Sequence, residues 1–235
     1  MRRMATLRKF IDIGANLTDE MYQGLYHGSK KHEPDLDVVL ARSWAAGLDK
    51  MIITGGSFTD SNKAIELARS DSRLYSTVGC HPTRCKDFLP DAEAYLQSLR
   101  DLITKNKDKV VAIGECGLDY DRLHFCDKDV QLNSLRTKEN LEVASKIPKD
   151  RLMIETDCPW CEVKPTHPGY SHVLTKYPTV KKEKYSVASD SQVKGRNEPV
   201  NIVQVLEILA AIRKEDTDEL AAAIYDNTNR LFFKK

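Results

Sequence analysis

Long apolar runs are missing from this sequence of 235 residues. Its apolar stretches have the length of a single β-strand, far below the roughly 20 residues that cross a bilayer. The basic residues 1–9 are not followed by an apolar stretch as long as that of a signal peptide. We therefore expect no membrane partner and no secretion, and an intracellular location in the nucleus or the cytoplasm.

An excess of charge of one sign is missing as well, because the formal net charge is only +1. A nucleic-acid interface would then have to be a local basic patch. Six cysteines are too few for a disulfide scaffold in a chain with so many helix and strand signals. Residues 158–161 have CxxC spacing, but no second pair accompanies them. We predict reduced thiols rather than a zinc ribbon or a redox centre.

Short β-branched runs alternate with segments of helical periodicity in the first half of the chain. The strand-like runs are residues 9–14, 50–56, 74–79 and 110–114. This alternation predicts an α/β fold with a parallel sheet covered by helices. The helix after the second run is expected to begin at Thr59, Asp60 or Ser61. A further helix is predicted over residues 94–103.

The second half departs from this rhythm, since residues 121–150 contain no strand-like run. The elements predicted beyond residue 130 are a helix at 137–146, a late strand at 151–154, a loop rich in Pro, Lys and Ser at 163–196, and helices at 202–213 and 217–225.

Carboxylates follow two of the predicted strands, where parallel α/β folds carry their reactive side chains. Glu115 comes just after the fourth run, and Asp157 just after the late strand. Either residue could cap a turn or form an ion pair. Together they favour a divalent-cation site, because opposed carboxylates need a cation or a shared proton. Asp12 near the end of the first run and Asn16 just after it are a possible additional site.

His81 follows the third run, where it could orient a phosphate or transfer a proton. A lone histidine more often satisfies a backbone group, so this alternative stays open. The other five histidines occur in loop-like polar segments without metal-ligand spacing. We predict that these are surface residues: His27, His32, His124, His167 and His172.

The loop at 163–196 concentrates basic residues, with Lys181, Lys182 and Lys184 as its densest cluster. Further cations are Lys176, Lys194 and Arg196, and the tyrosines among them are Tyr177 and Tyr185. Lysine and arginine can neutralise DNA phosphates, and tyrosine can stack on bases. A solvated loop is the commoner explanation of such a run.

Taken in order, these motifs resemble the TatD-type metal-dependent deoxyribonucleases, and most closely the animal branch of that family. The resemblance covers nearly the whole chain. It rests on FIDIGANLT at 10–18, VGCHP at 78–82, AIGECGLD at 112–119, IETD at 154–157, RNEP at 196–199 and NTNRLF at 227–232.

The resemblance implies a (β/α)8 TIM-type barrel of the metal-dependent hydrolase kind, which hydrolyses phosphodiester bonds of a DNA substrate. It implies that Glu115 holds the metal, that Asp157 is a metal ligand or activates water, and that His81 lines the phosphate site. The cofactor is expected to be a divalent cation, Mg²⁺ first and Mn²⁺ or Zn²⁺ as alternatives. No obligate protein partner is expected. Where many relatives carry His-x-His, this chain has Gly14 and Asn16.

The sequence departs from the family pattern after Gln131. The fifth to seventh strands of the family, two of which end in metal-binding histidines, have no counterpart before Leu132. About two βα units, or ~60 residues at ~30 per unit, are therefore expected to be missing. We interpret residues 1–235 as a single TatD-like domain with an internal deletion near 131–132 and about three strands fewer, as a splice variant or incomplete gene model would produce.

Three functions are compatible with such a chain. The first is a metal-dependent deoxyribonuclease of reduced activity. The second is a non-catalytic form that retains at most contact with DNA. The third is an amidohydrolase-like enzyme acting on a small molecule, against which the basic loop argues mildly.

Overall fold

A computed structural model describes residues 8–89, 91–116 and 145–233. The helix predicted at 137–146, His124 and the junction near 131–132 lie outside these residues, apart from Ser145 and Lys146, which are helical. The chain divides into two compact units. The first unit is Met1–Ala15, Asp19–Lys50 and Lys138–Lys235, and the second unit is Asn16–Thr18 and Met51–Thr137.

The described part of the chain forms short strands and five α-helices with 3₁₀ turns between them. The strands are β1 (Phe10–Ala15), β2 (Leu25–Tyr26), β3 (Ser29–Lys30), β4 (Leu48–Ile53), β5 (Leu74–Val78), β6 (Val110–Ile113), β7 (Thr179–Val180) and β8 (Gln192–Val193). The helices are α1 (Leu36–Ala45), α2 (Phe58–Ala68), α3 (Ala92–Lys105), α4 (Ile202–Arg213) and α5 (Thr217–Phe232). Within the described ranges, no helix is long and apolar enough to cross a membrane.

The main sheet has the strand order β1-β4-β5-β6, and β5 pairs in parallel with both β4 and β6. This confirms the predicted parallel α/β fold. β4 begins two residues earlier than predicted and ends before Gly55. The Gly55 N–H leaves the strand ladder because it donates to the Thr77 hydroxyl, at 2.9 Å.

The core of the second unit lies between β5, α2 and α3. It contains Ile65, Val78, Leu99 and Leu102. α2 begins at Phe58 because the Ser57 hydroxyl accepts from the Asp60 N–H, at 3.1 Å. The predicted caps Thr59, Asp60 and Ser61 are therefore wrong, since all three residues lie inside the helix.

The late strand predicted at 151–154 is also wrong as secondary structure. Lys149–Arg151 forms a 3₁₀ turn, and the residues after it are extended without a strand ladder. The Ile13 N–H donates to the Ile154 carbonyl at 3.4 Å, so this segment lies beside β1. The next possible ladder donor, the Thr156 N–H, donates to the Asp12 carboxylate instead, at 3.1 Å.

α4 has the predicted bounds, whereas α5 extends seven residues beyond the predicted end at Tyr225. The extension carries buried polar residues that bond within the fold. The Thr228 hydroxyl donates to the Ile224 carbonyl at 2.8 Å. The Asn227 amide donates to the carbonyls of Lys149 and Leu152, at 2.7 and 3.0 Å. α5 thus fixes the 3₁₀ turn that leads towards residues 152–157.

The basic loop is more ordered than a solvated loop, because it contains the parallel pair β7–β8 and contributes to a buried cluster. Tyr185 and Val193 pack in this cluster with Tyr26 of the β2–β3 hairpin, which the sequence analysis missed. The surface position predicted for His32 is wrong. Its ring is buried, lies 4.9 Å from the Tyr185 ring, and its Nε2 is 3.1 Å from the Tyr26 hydroxyl.

Candidate active site

The turn that carries Asp157 is fixed by two side chains of the first unit, one earlier in the sequence and one later. Asp12 on β1 is fully buried, and its carboxylate accepts from the Thr156 N–H at 3.1 Å and the Thr156 hydroxyl at 2.6 Å. It also accepts from the Gly14 N–H at 3.2 Å. The Asn197 amide donates to the Thr156 carbonyl at 2.9 Å. Both backbone groups of the residue before Asp157 are therefore bound by side chains.

Asp157 itself has a left-handed backbone, with φ of 53°. Such a conformation is uncommon for a residue with a Cβ and is often found at functional sites. The Asp157 N–H donates to the Gly14 carbonyl at 2.9 Å, and its carbonyl accepts from the Trp160 N–H at 3.0 Å. Its half-buried carboxylate lies 2.7 Å from the Cys161 thiol, which donates to it. The backbone thus holds this carboxylate in one place.

Asp12 has the environment of a supporting residue. Burial raises the pKa of Asp12 to about 7, the hydrogen bonds from Thr156 and Gly14 oppose that rise, and the nearby charge of Asp157 adds to it. Because the carboxylate is fully buried and bonded to protein, it has no path to a solvent cation. Asn16, the other residue predicted after the first strand, is half-buried and belongs to the second unit.

His81 and Glu115 lie close together in the second unit, after β5 and β6. His81 Nε2 is 3.9 Å from Glu115 Oε2, and the Glu115 side chain is 52% exposed. His81 Nδ1 lies 3.1 Å from the Thr83 N–H and 2.7 Å from the Thr83 hydroxyl. An amide can only donate, so Nδ1 accepts and Nε2 carries the proton in the neutral ring. His81 therefore presents an N–H on the side of Glu115, which suits an anionic oxygen better than a metal.

Two residues of the basic loop that were considered for contact with DNA are buried instead. Arg196 is fully buried and binds Asp35 at 2.7 and 2.6 Å and Glu198 at 3.0 Å. Tyr185 packs against His32, and the Arg196 guanidinium lies 5.8 Å from the centre of the Tyr185 ring. Neither side chain can reach a phosphate or a base. Burial raises the pKa of Glu198, and the charges of Arg196 and Arg42 oppose this rise.

The lysine cluster is only partly exposed for the contact with DNA phosphates that the sequence suggested. Lys181 and Lys184 are exposed at the ends of a 3₁₀ turn, Lys182–Lys184. The Lys182 ammonium lies 4.8 Å from the centre of the Tyr26 ring and is half-buried. Two of the three lysines therefore face solvent without restriction, while Lys182 is held by a cation–π contact.

The oxygen ligands fit one kind of metal site better than another. Among residues 8–89, 91–116 and 145–233, no group of three or more His, Cys, Asp or Glu side chains could hold a metal ion. A closed zinc site with four nitrogen or sulfur ligands therefore does not fit these residues. A hard cation bound by one carboxylate, with water and substrate as its other ligands, does fit the exposed carboxylate of Glu115.

Thr156 and Asn197 are the supporting residues that the sequence analysis did not single out. Both act through hydrogen bonds that involve backbone groups, and such bonds leave no periodicity or ligand spacing in a sequence. The only available signal was that each residue lies inside a motif of the family resemblance, IETD or RNEP.

A parallel sheet covered by helices, with His81 and Glu115 after neighbouring strands, has the arrangement of a hydrolase-type site built on an α/β sheet. The family model described as TatD related DNase matches residues 11–138 and 132–233. The chain belongs to this family, and its fold is that of the TIM-barrel metal-dependent hydrolases. Membership implies a divalent metal cofactor.

The similar proteins cover almost the full chain. A deoxyribonuclease Tat-D of Schizosaccharomyces pombe is 34% identical over 302 residues, covering 96% of each chain. A 3'-5' ssDNA/RNA exonuclease TatD of Salmonella typhimurium is 27% identical over 271 residues, covering 94% of this chain and 98% of the relative. The crystal structure of a TatD-family hydrolase from Entamoeba histolytica matches with a TM-score of 0.87 and 35% identity, covering 98% of this chain and 100% of that one.

The family model matches the chain in two segments rather than in one. The two segments matched by the family model overlap at residues 132–138. The alignment with the S. pombe relative is 302 residues long, which is 67 more than the 235 residues of this chain. At least 67 residues of that relative therefore have no counterpart here.

Proposed function

We propose that this protein is a metal-dependent deoxyribonuclease that hydrolyses phosphodiester bonds in DNA. The observation that carries the proposal is the pair formed by His81 and Glu115, 3.9 Å apart after neighbouring parallel strands. An N–H beside a solvent-exposed carboxylate suits a phosphate group and a cation bound to it. The deoxyribonuclease named among the relatives supports DNA as the substrate.

Each site residue has a distinct role in this proposal. Glu115 is the proposed ligand of the cation, for which Mg²⁺ fits a carboxylate oxygen best. The bound cation would offset charge on the scissile phosphate and lower the pKa of a water ligand. His81 donates from Nε2 to a phosphate oxygen or to the leaving group. Asp157, in the first unit, has the role of a metal ligand or of the group that accepts a proton from water. Lys181 and Lys184 contact the DNA backbone outside the reacting group.

We also propose that an internal deletion near residues 131–132 has shortened the chain. The family match in two segments and the 67 unmatched residues of the S. pombe relative support this proposal. The missing segment would have supplied the two histidine ligands of the family's middle strands. The cation would then bind weakly, and activity would be lower than in a chain of family length. An intracellular location, nuclear or cytoplasmic, belongs to the same proposal.

Cleavage of labelled single-stranded DNA and of plasmid DNA tests this function. We expect slow cleavage that requires added Mg²⁺ or Mn²⁺, stops with EDTA and is lost in Glu115→Gln. Glu162→Gln is the matched control, since Glu162 also lies in a loop but outside the proposed ligand set. Cleavage that persists in EDTA, or that Glu115→Gln leaves intact, would contradict the proposal. No cleavage but retained DNA binding would favour the non-catalytic form.

A further inference from the structure

Trp160 is a large aromatic residue exposed on the Asp157 turn. Its side chain is 49% exposed, whereas Cys158 and Pro159 just before it are buried. In the described part of the chain, we find no ring contact, cation contact or side-chain hydrogen bond of the Trp160 indole. About half of the Trp160 surface is therefore exposed to water, which is unfavourable for an aromatic ring.

The backbone places this indole beside the proposed catalytic carboxylate. The Trp160 N–H donates to the Asp157 carbonyl at 3.0 Å and closes the turn. The thiol of the next residue, Cys161, lies 2.7 Å from Asp157 Oδ2. Because consecutive Cα atoms are ~3.8 Å apart, the indole is attached one residue from a side chain that touches the carboxylate. The ring is therefore attached in the same turn as the carboxylate.

We propose that Trp160 is a stacking platform for a nucleobase of single-stranded DNA, next to the phosphate at Asp157. This inference rests on the proposed function and adds a residue that selects the form of the substrate. An aromatic ring stacks on any of the bases, because every base has a π-face. A base inside a duplex is already stacked on both faces, so this contact requires an unstacked nucleotide.

The contact has a signature that differs from that of the lysines. Contacts of Lys181 and Lys184 with phosphates weaken as salt increases, and they are the same whether or not a base is attached. Stacking on Trp160 requires the base and depends little on salt. A comparison of oligonucleotides with equal charge, with and without bases, therefore separates the two contributions.

Binding measured at early times with Ca²⁺ in place of Mg²⁺ tests the inference with a cation present, because Ca²⁺ also takes carboxylate oxygen ligands. The probes are labelled thymidine oligonucleotides of roughly ten nucleotides, within the usual site size of single-strand binders, and abasic oligonucleotides of the same length. We expect the natural chain to bind the thymidine probe about tenfold more tightly than the abasic probe. Trp160→Ala should lose this preference, and Trp160→Phe should keep most of it.

Tryptophan fluorescence provides a second measurement that does not need the alanine variant to fold. The thymidine probe should quench the emission that is present in the natural chain and absent in Trp160→Phe, and the abasic probe should not. Equal affinity for both probes, or an unchanged preference in Trp160→Ala, would overturn the inference. Base preference without metal-dependent cleavage would instead contradict the nuclease function and leave the stacking site intact.

Discussion

At the scale of single residues, Asp12 shows how a buried carboxyl can organise a site without entering it. Both of its oxygens bind Thr156, and Oδ1 also binds the Gly14 N–H. These bonds are compatible with a carboxylate and also with a protonated carboxyl whose Oδ2–H donates to the Thr156 hydroxyl. An asparagine at this position could make the same set of bonds, since its amide nitrogen would replace Oδ2.

Because asparagine can replace a protonated Asp12, the stability of the two proteins should depend differently on pH. Burial raises the pKa of Asp12 from its usual value of 3.8 to about 7. Between these values the folded protein binds a proton that the unfolded chain has lost. The free energy of unfolding should therefore fall as pH rises from about 4 to about 7. Asp12→Asn cannot titrate, so the stability of the natural chain relative to this variant should decline across the same range.

Urea unfolding of both proteins across that range is the measurement. Asp71→Asn is a control, because the hydrogen bond with Arg73 lowers the pKa of Asp71. The stabilisation by Asp71 is present above its unfolded pKa and is lost as pH falls through its lower folded value. A constant difference between the natural chain and Asp12→Asn would mean that Asp12 stays ionised throughout.

His81 is predicted to act in the chemical step. Its Nδ1 is occupied by Thr83, so removing the ring removes a donor that faces the substrate side. We expect His81→Ala to lower kcat by about 100-fold or more, in the range of a lost general acid, with a smaller change in KM. Steady-state cleavage of single-stranded DNA measures both constants. His167→Ala, which changes an exposed loop histidine, should leave both unchanged.

The residues of the site could be predicted unequally from the sequence. His81, Glu115 and Asp157 follow strand-like or extended segments, and their chemical types are informative on their own. Thr156 and Asn197 could not be predicted, because their function is to bind backbone groups. Arg196 was misjudged, because a basic residue in a lysine-rich loop gives no sign that Asp35, far away in the sequence, is its buried partner.

At the scale of elements, α5 stabilises the segment that leads to Asp157. We predict that Asn227→Ala leaves the carbonyls of Lys149 and Leu152 without their amide donor and costs about 1–3 kcal/mol of unfolding free energy. Asn229→Ala is the matched control, because within the described residues the Asn229 amide donates to the Tyr225 carbonyl of its own helix, at 3.2 Å. Chemical denaturation of both variants is the measurement. Equal effects would show that the contact with residues 149–152 is unimportant.

The helix whose bounds were predicted correctly is largely apolar, and several of the errors come from side-chain bonds to the backbone. α4 is apolar along its length, so its bounds were clear from the sequence. The late strand failed because Asp12 takes the Thr156 N–H that a ladder would use. The first turn of α2 was misplaced because Ser57, rather than a later polar residue, caps it. Several polar residues competed for that cap, and the sequence alone does not rank them.

At the scale of the whole molecule, the edge of the main sheet is the weak point. Among the described strands β6 has a neighbour on one side only, and its Ile113 side chain is 74% exposed. An exposed apolar edge strand favours pairing between molecules. If the chain is one domain, as the sequence predicts, its two compact units should unfold together. We expect such cooperative unfolding only when the strand pairing is complete.

We therefore predict that the 235-residue chain self-associates and unfolds over a broad temperature range. A version with the missing units restored should be monomeric and unfold in one sharp transition. Ile113→Lys should reduce the association of the shortened chain, because a charge on an edge strand opposes pairing. Light scattering and calorimetry are the measurements. A monomeric shortened chain with one sharp transition would contradict this prediction.

The most direct test of the account is cleavage of single-stranded DNA by this chain and by a length-restored version, measured side by side over a Mg²⁺ titration. We predict that both cleave, that the shortened chain needs more Mg²⁺ and is slower, and that Glu115→Gln abolishes cleavage in each. The prediction would be contradicted if neither chain cleaved at any Mg²⁺ concentration, or if Glu115→Gln left cleavage by both chains unchanged.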